Sequence, residues 1–261
     1  LSVLEVMYPP QLVAVIMTTN QMLAQPIELA YDGGKEDVCW RWGLGIAAVL
    51  FSSPFEQSRV AVVKYYFSPA GGNPDLVRAM SKANPRIRLL HSDERLGRGK
   101  ALNRAFLEAR GRIVCYYDAD LATDLRHLGE LIGAIRAGDD VATGSRLLPA
   151  SDVLRTGGRE VASRVYNALV RIILGSRIHD HQCGFKAFNR QRILSLLPSV
   201  RATHWFWDTE VLVRGQRAGF RVTEFPVVWR TGKTTTVRLA DVFEMGGAIL
   251  SLWWQLHGPK G

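Results

Sequence analysis

Short apolar runs alternating with helix-length amphipathic segments constrain this chain more than any other feature. "QLVAVIM" (11–17), "SRVAVV" (58–63), "RIRLLH" (86–91), "RIVCYY" (112–117) and "DVATGS" (140–145) have strand length, and several are almost wholly apolar. A strand without polar alternation is covered on both faces, which is the condition of a parallel sheet layered by helices. Between the runs, residues 74–84, 99–111 and 123–138 carry helical spacing. In the last of these Leu125, Leu128, Leu131, Ile132 and Ile135 share a face, with Thr123 placed to cap the start and Gly138 to end it. The alternation predicts an α/β fold, a Rossmann-like three-layer sandwich with a mostly parallel central sheet.

After residue 150 the rhythm changes. "EVASRVYNALVRIILG" (160–175) is an amphipathic helix with Val161, Val165, Ala168, Leu169, Ile172 and Ile173 on one side and Arg164, Asn167 and Arg171 on the other. A turn-rich stretch, "SRIHDHQCGFKAFN", leads to helices near 190–197 and 207–218 and to a strand "RVTEFPVVW" (221–229). Residues 18–57 support neither period well. With 261 residues and 47% hydrophobic content, the chain has material for a sizeable core, and a single globular unit is expected.

The formal charge of +9 is unevenly placed: residues 1–70 hold four Lys/Arg against six Asp/Glu, and the rest of the chain holds the excess. Such an excess points to an anionic partner: nucleic acid, an acidic membrane surface or phosphate groups. No nucleic-acid motif and no interleaving of basic and aromatic residues on a strand face is present, so nucleic acid is not expected. No apolar run reaches the roughly 18 residues of a spanning helix. The N-terminus lacks the order of a secretory signal, and three widely spaced cysteines (Cys39, Cys115, Cys183) suggest neither a disulfide framework nor a zinc cluster. A cytoplasmic setting is expected.

Against that basic background, "YYDADLATD" (116–124) gathers three carboxylates in seven positions directly after an apolar strand. Residues two apart in a strand point the same way, so Asp118 and Asp120 aim at one point beyond the sheet edge. Two carboxylates so close are unfavourable unless a cation lies between them. Hard oxygen ligands at a strand end suit Mg²⁺ or Mn²⁺, which keep positions open for substrate phosphates. The plainer alternative is that Asp118 and Asp124 cap the next helix and Asp120 is solvated.

"RLGRGKALNRAFLEARGRIVCYYDADLATDL", "VATGSRLLP", "DHQCGFKAFNR" and "WFWDTEVLVRGQRAGFRVTEFPVVWR" together resemble the family-two GT-A glycosyltransferases, in the branch of the dolichyl-phosphate mannose and glucose synthases. The likeness covers about residues 74–250, in the family's order and spacing, and residues 1–73 form an atypical donor-side segment. The resemblance implies a GT-A type fold and metal-dependent, inverting transfer of a hexose from a UDP- or GDP-linked sugar to a polyprenyl (dolichyl) phosphate. By the same resemblance Asp118 and Asp120 bind the metal, and Lys100, Arg146 and Asn20 lie on the donor and phosphate side. Asp180 and Asp208 stand with the catalytic carboxylates, and Gln182, Lys186, Arg230, Lys233 and Arg238 face the acceptor phosphate.

The first 70 residues depart from the family pattern. Gln21 follows Asn20 where an acid is expected, and Lys64 and Tyr65 stand in place of two aspartates after the second strand. Two readings follow: a transferase with an altered donor pocket, or a catalytically silent relative that binds lipid or a protein partner. A lipid acceptor accounts for the basic excess. It also suits helices 160–174 and 239–256, the second ending in "ILSLWWQL", as interfacial elements with Trp253 and Trp254 at headgroup depth. Peripheral attachment at the cytoplasmic face of a membrane is therefore expected.

Overall fold

The computed structural model describes residues 13–18, 39–42, 46–49, 60–65, 82, 87–90, 96–118, 122–154, 157–230 and 239–258. Its strands, in chain order, are β1 (Val13–Thr18), β2 (Cys39–Trp42), β3 (Ile46–Val49), β4 (Val60–Tyr65), β5 (Ile87–Leu90), β6 (Ile113–Asp118), β7 (Val141–Ser145), β8 (Asp152–Leu154), β9 (Phe185–Asn189), β10 (Val222–Pro226) and β11 (Val228–Arg230). The helices are α1 (Arg98–Glu108), α2 (Leu128–Arg136), α3 (Gly157–Leu174), α4 (Arg190–Leu196), α5 (Trp207–Arg217) and α6 (Leu239–His257).

Seven strands form one sheet in the order β10-β7-β9-β6-β1-β4-β5. All its pairings are parallel except those of β9, which runs antiparallel to both β6 and β7. The mostly parallel sandwich read from the sequence is therefore present. Strand β9 was not: residues 185–189 read as part of a turn-rich stretch, and they form a central strand. The expected strand 221–229 is also two strands, broken at Val227, whose backbone N–H donates to Ser151 Oγ at 3.3 Å. The piece before the break joins β7 and the piece after it pairs with β8.

Alternation along β6 sends successive side chains to opposite layers. Val114 and Tyr116 meet α1, α4 and α5 through Leu102, Phe106, Ile193, Trp207 and Val211. Cys115 and Tyr117 meet α2 through Leu131, Ile132 and Ile135, with Phe185 and Ala187 of β9. Phe106 is the hub of the first layer, its ring centroid 5.5 Å from that of Phe188 and 5.9 Å from that of Trp207. The helix expected over 123–138 opens with a short 3₁₀ turn at Leu125–His127 capped by Asp124, not Thr123, and ends as expected at Gly138, where φ is +106°.

Helix α3 leaves exposed most of the apolar side read from its amphipathicity. Tyr166, Val170 and Leu174 pack inward against Val213 of α5 and Ile249 and Leu252 of α6. The aliphatic line of Val161, Val165, Leu169 and Ile172 is exposed, as are Leu250, Trp253 and Trp254 of α6. Among the described residues, no helix is long and apolar enough to cross a membrane.

Candidate functional site

Five elements deliver their ends to one edge of the sheet: the carboxyl ends of β6 and β7, the amino ends of α1 and α5, and, because it runs in reverse, the amino end of β9. Asp118 closes β6 there, its backbone N–H donating to Gly184 O at 2.9 Å. Its side chain lies directly over Gly184: a Cβ on that residue would stand 1.9 Å from Asp118 Oδ2. Only glycine admits this approach.

Beneath Asp118 lies a buried charge cluster. Arg98, the first residue of α1, donates from Nη1 to Asp118 Oδ1 at 2.6 Å and from Nε to Asp208 Oδ2 at 2.9 Å. Asp208 also accepts from Tyr116 and pairs with Lys186 Nζ at 3.1 Å. Lys186 spends its other donors on His181 O at 3.0 Å and Cys183 O at 2.5 Å, which accounts for all three. Burial by itself raises the Asp208 pKa, and the Lys186 and Arg98 charges outweigh it, holding the carboxyl below its ordinary value. Burial lowers that of Arg98 and the carboxylates of Asp118 and Asp208 reverse it, so the guanidinium stays charged. The two helix amino ends add favourable dipoles beside these acids.

A second clasp sits on the β7 side. Arg146 donates to Asp180 Oδ2 from its backbone N at 3.0 Å and from Nε at 2.6 Å, and to Oδ1 from Nη2 at 2.8 Å. Gln182 N donates to the same carboxylate at 3.2 Å. Burial opposes ionisation of Asp180, yet Arg146 holds it ionised well below the usual carboxylate range. The next residue, His181, is pinned between Asn167 Oδ1 at 2.7 Å and Ser176 Oγ at 2.7 Å. Burial keeps it neutral, with its pKa lowered to about 3. Cys183 is fully buried, and burial raises its thiol to about 11.

The structure thus gathers Asp118, Arg146, Asp180, Lys186 and Asp208, but gives several of them other work than expected. Lys186 was expected at an acceptor phosphate; it is fully buried with its protons taken, and forms the floor of the site. Asp180 and Asp208 were expected among catalytic groups; both are buried and hold cations. Lys100 is exposed on the first turn of α1. Arg230 is exposed on β11 and paired with Asp152. Asn20, Asp120, Lys233 and Arg238 lie outside the described residues. Sequence reasoning missed Arg98, although its place with Leu102, Ala105 and Phe106 on one helical face was there to read.

Comparison with known proteins decides the family. Residues 71–195 match the model for glycosyl transferase family 2. These residues are a family 2 glycosyltransferase domain. The glycosyltransferase AglD of Haloferax volcanii is 54% identical over 185 residues, covering 70% of this chain and 30% of that protein. The dolichyl-phosphate beta-glucosyltransferase ALG5C of Trichomonas vaginalis is 30% identical over 178 residues, covering 66% of this chain and 53% of the relative. The chain therefore spans under a third of AglD and about half of ALG5C. In fold, the chain resembles Mycobacterium tuberculosis glucosyl-3-phosphoglycerate synthase, solved in complex with Mn²⁺, uridine diphosphate and glucosyl-3-phosphoglycerate. The TM-score is 0.59 at 15% identity, over 97% of this chain and 81% of that one. The fold is of the GT-A type.

Proposed function

We propose that this chain transfers a hexose from a nucleoside diphosphate sugar to a polyprenyl phosphate, with inversion, at the surface of a membrane. The observation that carries the reading is Asp118, a half-exposed carboxylate at the carboxyl end of a central strand, set above a buried layer of fixed cations. Open α/β sheets bind ligands at this edge. Hard carboxylate oxygens here fit Mg²⁺ or Mn²⁺, with Asp118 and Asp120 as protein ligands and the donor's diphosphate completing the shell. When bound, the metal neutralises charge that gathers on the leaving diphosphate. Among the described residues no three acids, histidines or cysteines form a metal cluster of their own, so the shell as proposed depends on Asp120 and the substrate.

The protein's own share is positioning. Asp208 fixes Arg98 and Lys186, Arg98 orients Asp118, and Asp180 fixes Arg146 beside them. A polyprenyl phosphate is mostly dianionic near neutral pH, its second pKa being about 6, so no strong protein base is required. Arg230, Lys233 and Arg238 are the basic residues proposed to hold that phosphate.

Calorimetric titration with UDP-glucose and GDP-mannose, with and without Mn²⁺, tests the donor half. Metal-dependent binding of one donor is expected, lost in Asp118→Ala; no binding of either by the wild-type chain leaves the silent relative as the answer. The membrane half rests on the exposed aliphatic line of α3 and the exposed indoles of α6. An interfacial helix binds through buried apolar area and attraction to anionic lipid. Flotation with vesicles containing phosphatidylglycerol is expected to carry the wild-type chain up and to leave Ile172→Asp/Trp254→Asp at the bottom. Equal flotation of both removes α3 and α6 from the attachment.

A further inference from the structure

Two indoles stand two positions apart at the start of α5 and meet opposite fates. Trp207 is wholly buried against Phe106, with Nε1 donating to Asn103 Oδ1 at 2.7 Å. Trp205 is 50% exposed, and Arg98 CZ lies 5.5 Å from its ring centroid. The same guanidinium, itself buried, bonds Asp118, so the exposed Trp205 ring and the Asp118 carboxylate lie on either side of Arg98.

The position of Trp205 is fixed by its neighbours. Glu210 Oε2 accepts from the backbone N–H groups of Arg201 at 3.0 Å and Ala202 at 2.6 Å. Thr203 O accepts from Gly99 N at 2.9 Å, and His204 O from Trp207 N at 3.2 Å. The loop lies so close on α1 that a Cβ at Gly97 would stand 2.6 Å from His204 Nδ1, and one at Gly99 would stand 2.7 Å from Ala202 O. Trp205 is thus a large flat apolar surface, held between anchored residues and open to solvent beside a charged carboxylate. Aromatic walls with a few fixed polar groups are what small-molecule sites are lined with.

We infer that Trp205 is the platform for the transferred hexose and sets the preference for a sugar-bearing donor. This rests on the donor reading above. A pyranose presents a face of C–H bonds that suits an exposed indole. In a donor whose diphosphate is held at Asp118 the hexose is the adjoining group, and Trp205 is the exposed aromatic that adjoins Asp118 through Arg98. The base lies a ribose further on.

The test is calorimetry in Mn²⁺ on the wild-type chain, Trp205→Ala and Trp205→Phe, comparing UDP with UDP-glucose and GDP with GDP-mannose. An aromatic stack is worth about 0.5–1.5 kcal/mol, so the affinity for the nucleotide sugar is expected to fall about two- to twelvefold in Trp205→Ala. Affinity for the bare diphosphate stays unchanged, and Trp205→Phe recovers most of the loss. Equal weakening of sugar nucleotide and bare diphosphate would mark a structural role and overturn the platform. An unchanged ratio in Trp205→Ala overturns it too, including where binding of a short-chain polyprenyl phosphate is lost instead. Should the wild-type chain bind neither diphosphate nor sugar nucleotide, the donor reading itself fails and takes this inference with it.

Discussion

Gly184→Ala is expected to weaken metal-dependent donor binding about a hundredfold, on the scale of lost support to a metal ligand, while the chain still folds. The added methyl would fall 1.9 Å from Asp118 Oδ2 and 2.2 Å from Cγ, distances that no carboxylate tolerates. Something has to move, and the β6–β9 ladder on either side resists: Tyr117 pairs with Phe185, and Asp118 N is bonded to Gly184 O. The side chain of Asp118, 37% exposed, has room to swing toward solvent. That swing breaks its bond to Arg98 and turns its oxygens from the point the metal would occupy. Because the movement is outward, urea unfolding midpoints should change little. Titration of Gly184→Ala with Mn²⁺ and a nucleotide sugar decides it, and wild-type affinity would show that Asp118 is not the ligand.

Asp208→Leu should be the most destabilising of the substitutions considered, by about 3–5 kcal/mol, because it leaves Arg98 and Lys186 buried without their shared counter-charge. Both side chains are within 3% of complete burial and have no water to turn to. Asp208→Asn keeps the shape and a partner for Tyr116 but removes the charge, so a smaller loss of about 1–3 kcal/mol is expected. The pH dependence separates the two effects. The Asp208 pKa is lowered in the fold, so its contribution is complete above the ordinary value of 3.8 and is lost as pH falls through the folded value. Urea denaturation at pH 7 should therefore separate wild type from Asp208→Asn by more than the same experiment carried below pH 3. A gap that does not narrow would mean that the charge of Asp208 is not what stabilises the cluster.

What could be read from the residues follows from how far apart the interacting groups are in the chain. Strand β6 and helix α2 are local patterns, an apolar run and a helical stripe, and both stand where the periodicity puts them. Asp118 was legible for the same reason, as an acid that ends an apolar run. The layer beneath it was not. The resemblance placed Asp208 and Lys186 at the site, but Arg98 and Asp208 are 110 positions apart and their pairing shows only once the fold brings them together. Strand β9 was lost to the same cause: Lys186 breaks the apolar pattern between Phe185 and Ala187, and a buried lysine is acceptable only because Asp208 and two carbonyls meet it. On α3, the aliphatic side was legible in the sequence, but the stripe that turns inward was not. The inward stripe instead contains Tyr166 and Asn167, whose polar ends are bonded to Thr209 and His181. Their partners lie on other elements, which no helical wheel displays.

The reversed direction of β9 has an architectural result. In a sheet whose strands all run one way, only the segments that follow strands reach the ligand edge, and each must then travel back as a helix. One reversed strand gives this edge an incoming segment as well, residues 176–184, which begins at the end of α3 and stops at Gly184. Its length is not tied to the length of any crossover. That segment carries Asp180 to Arg146 and the two backbone carbonyls that hold Lys186, so the reversed strand brings this edge a wall bonded to the buried charges from the upstream side.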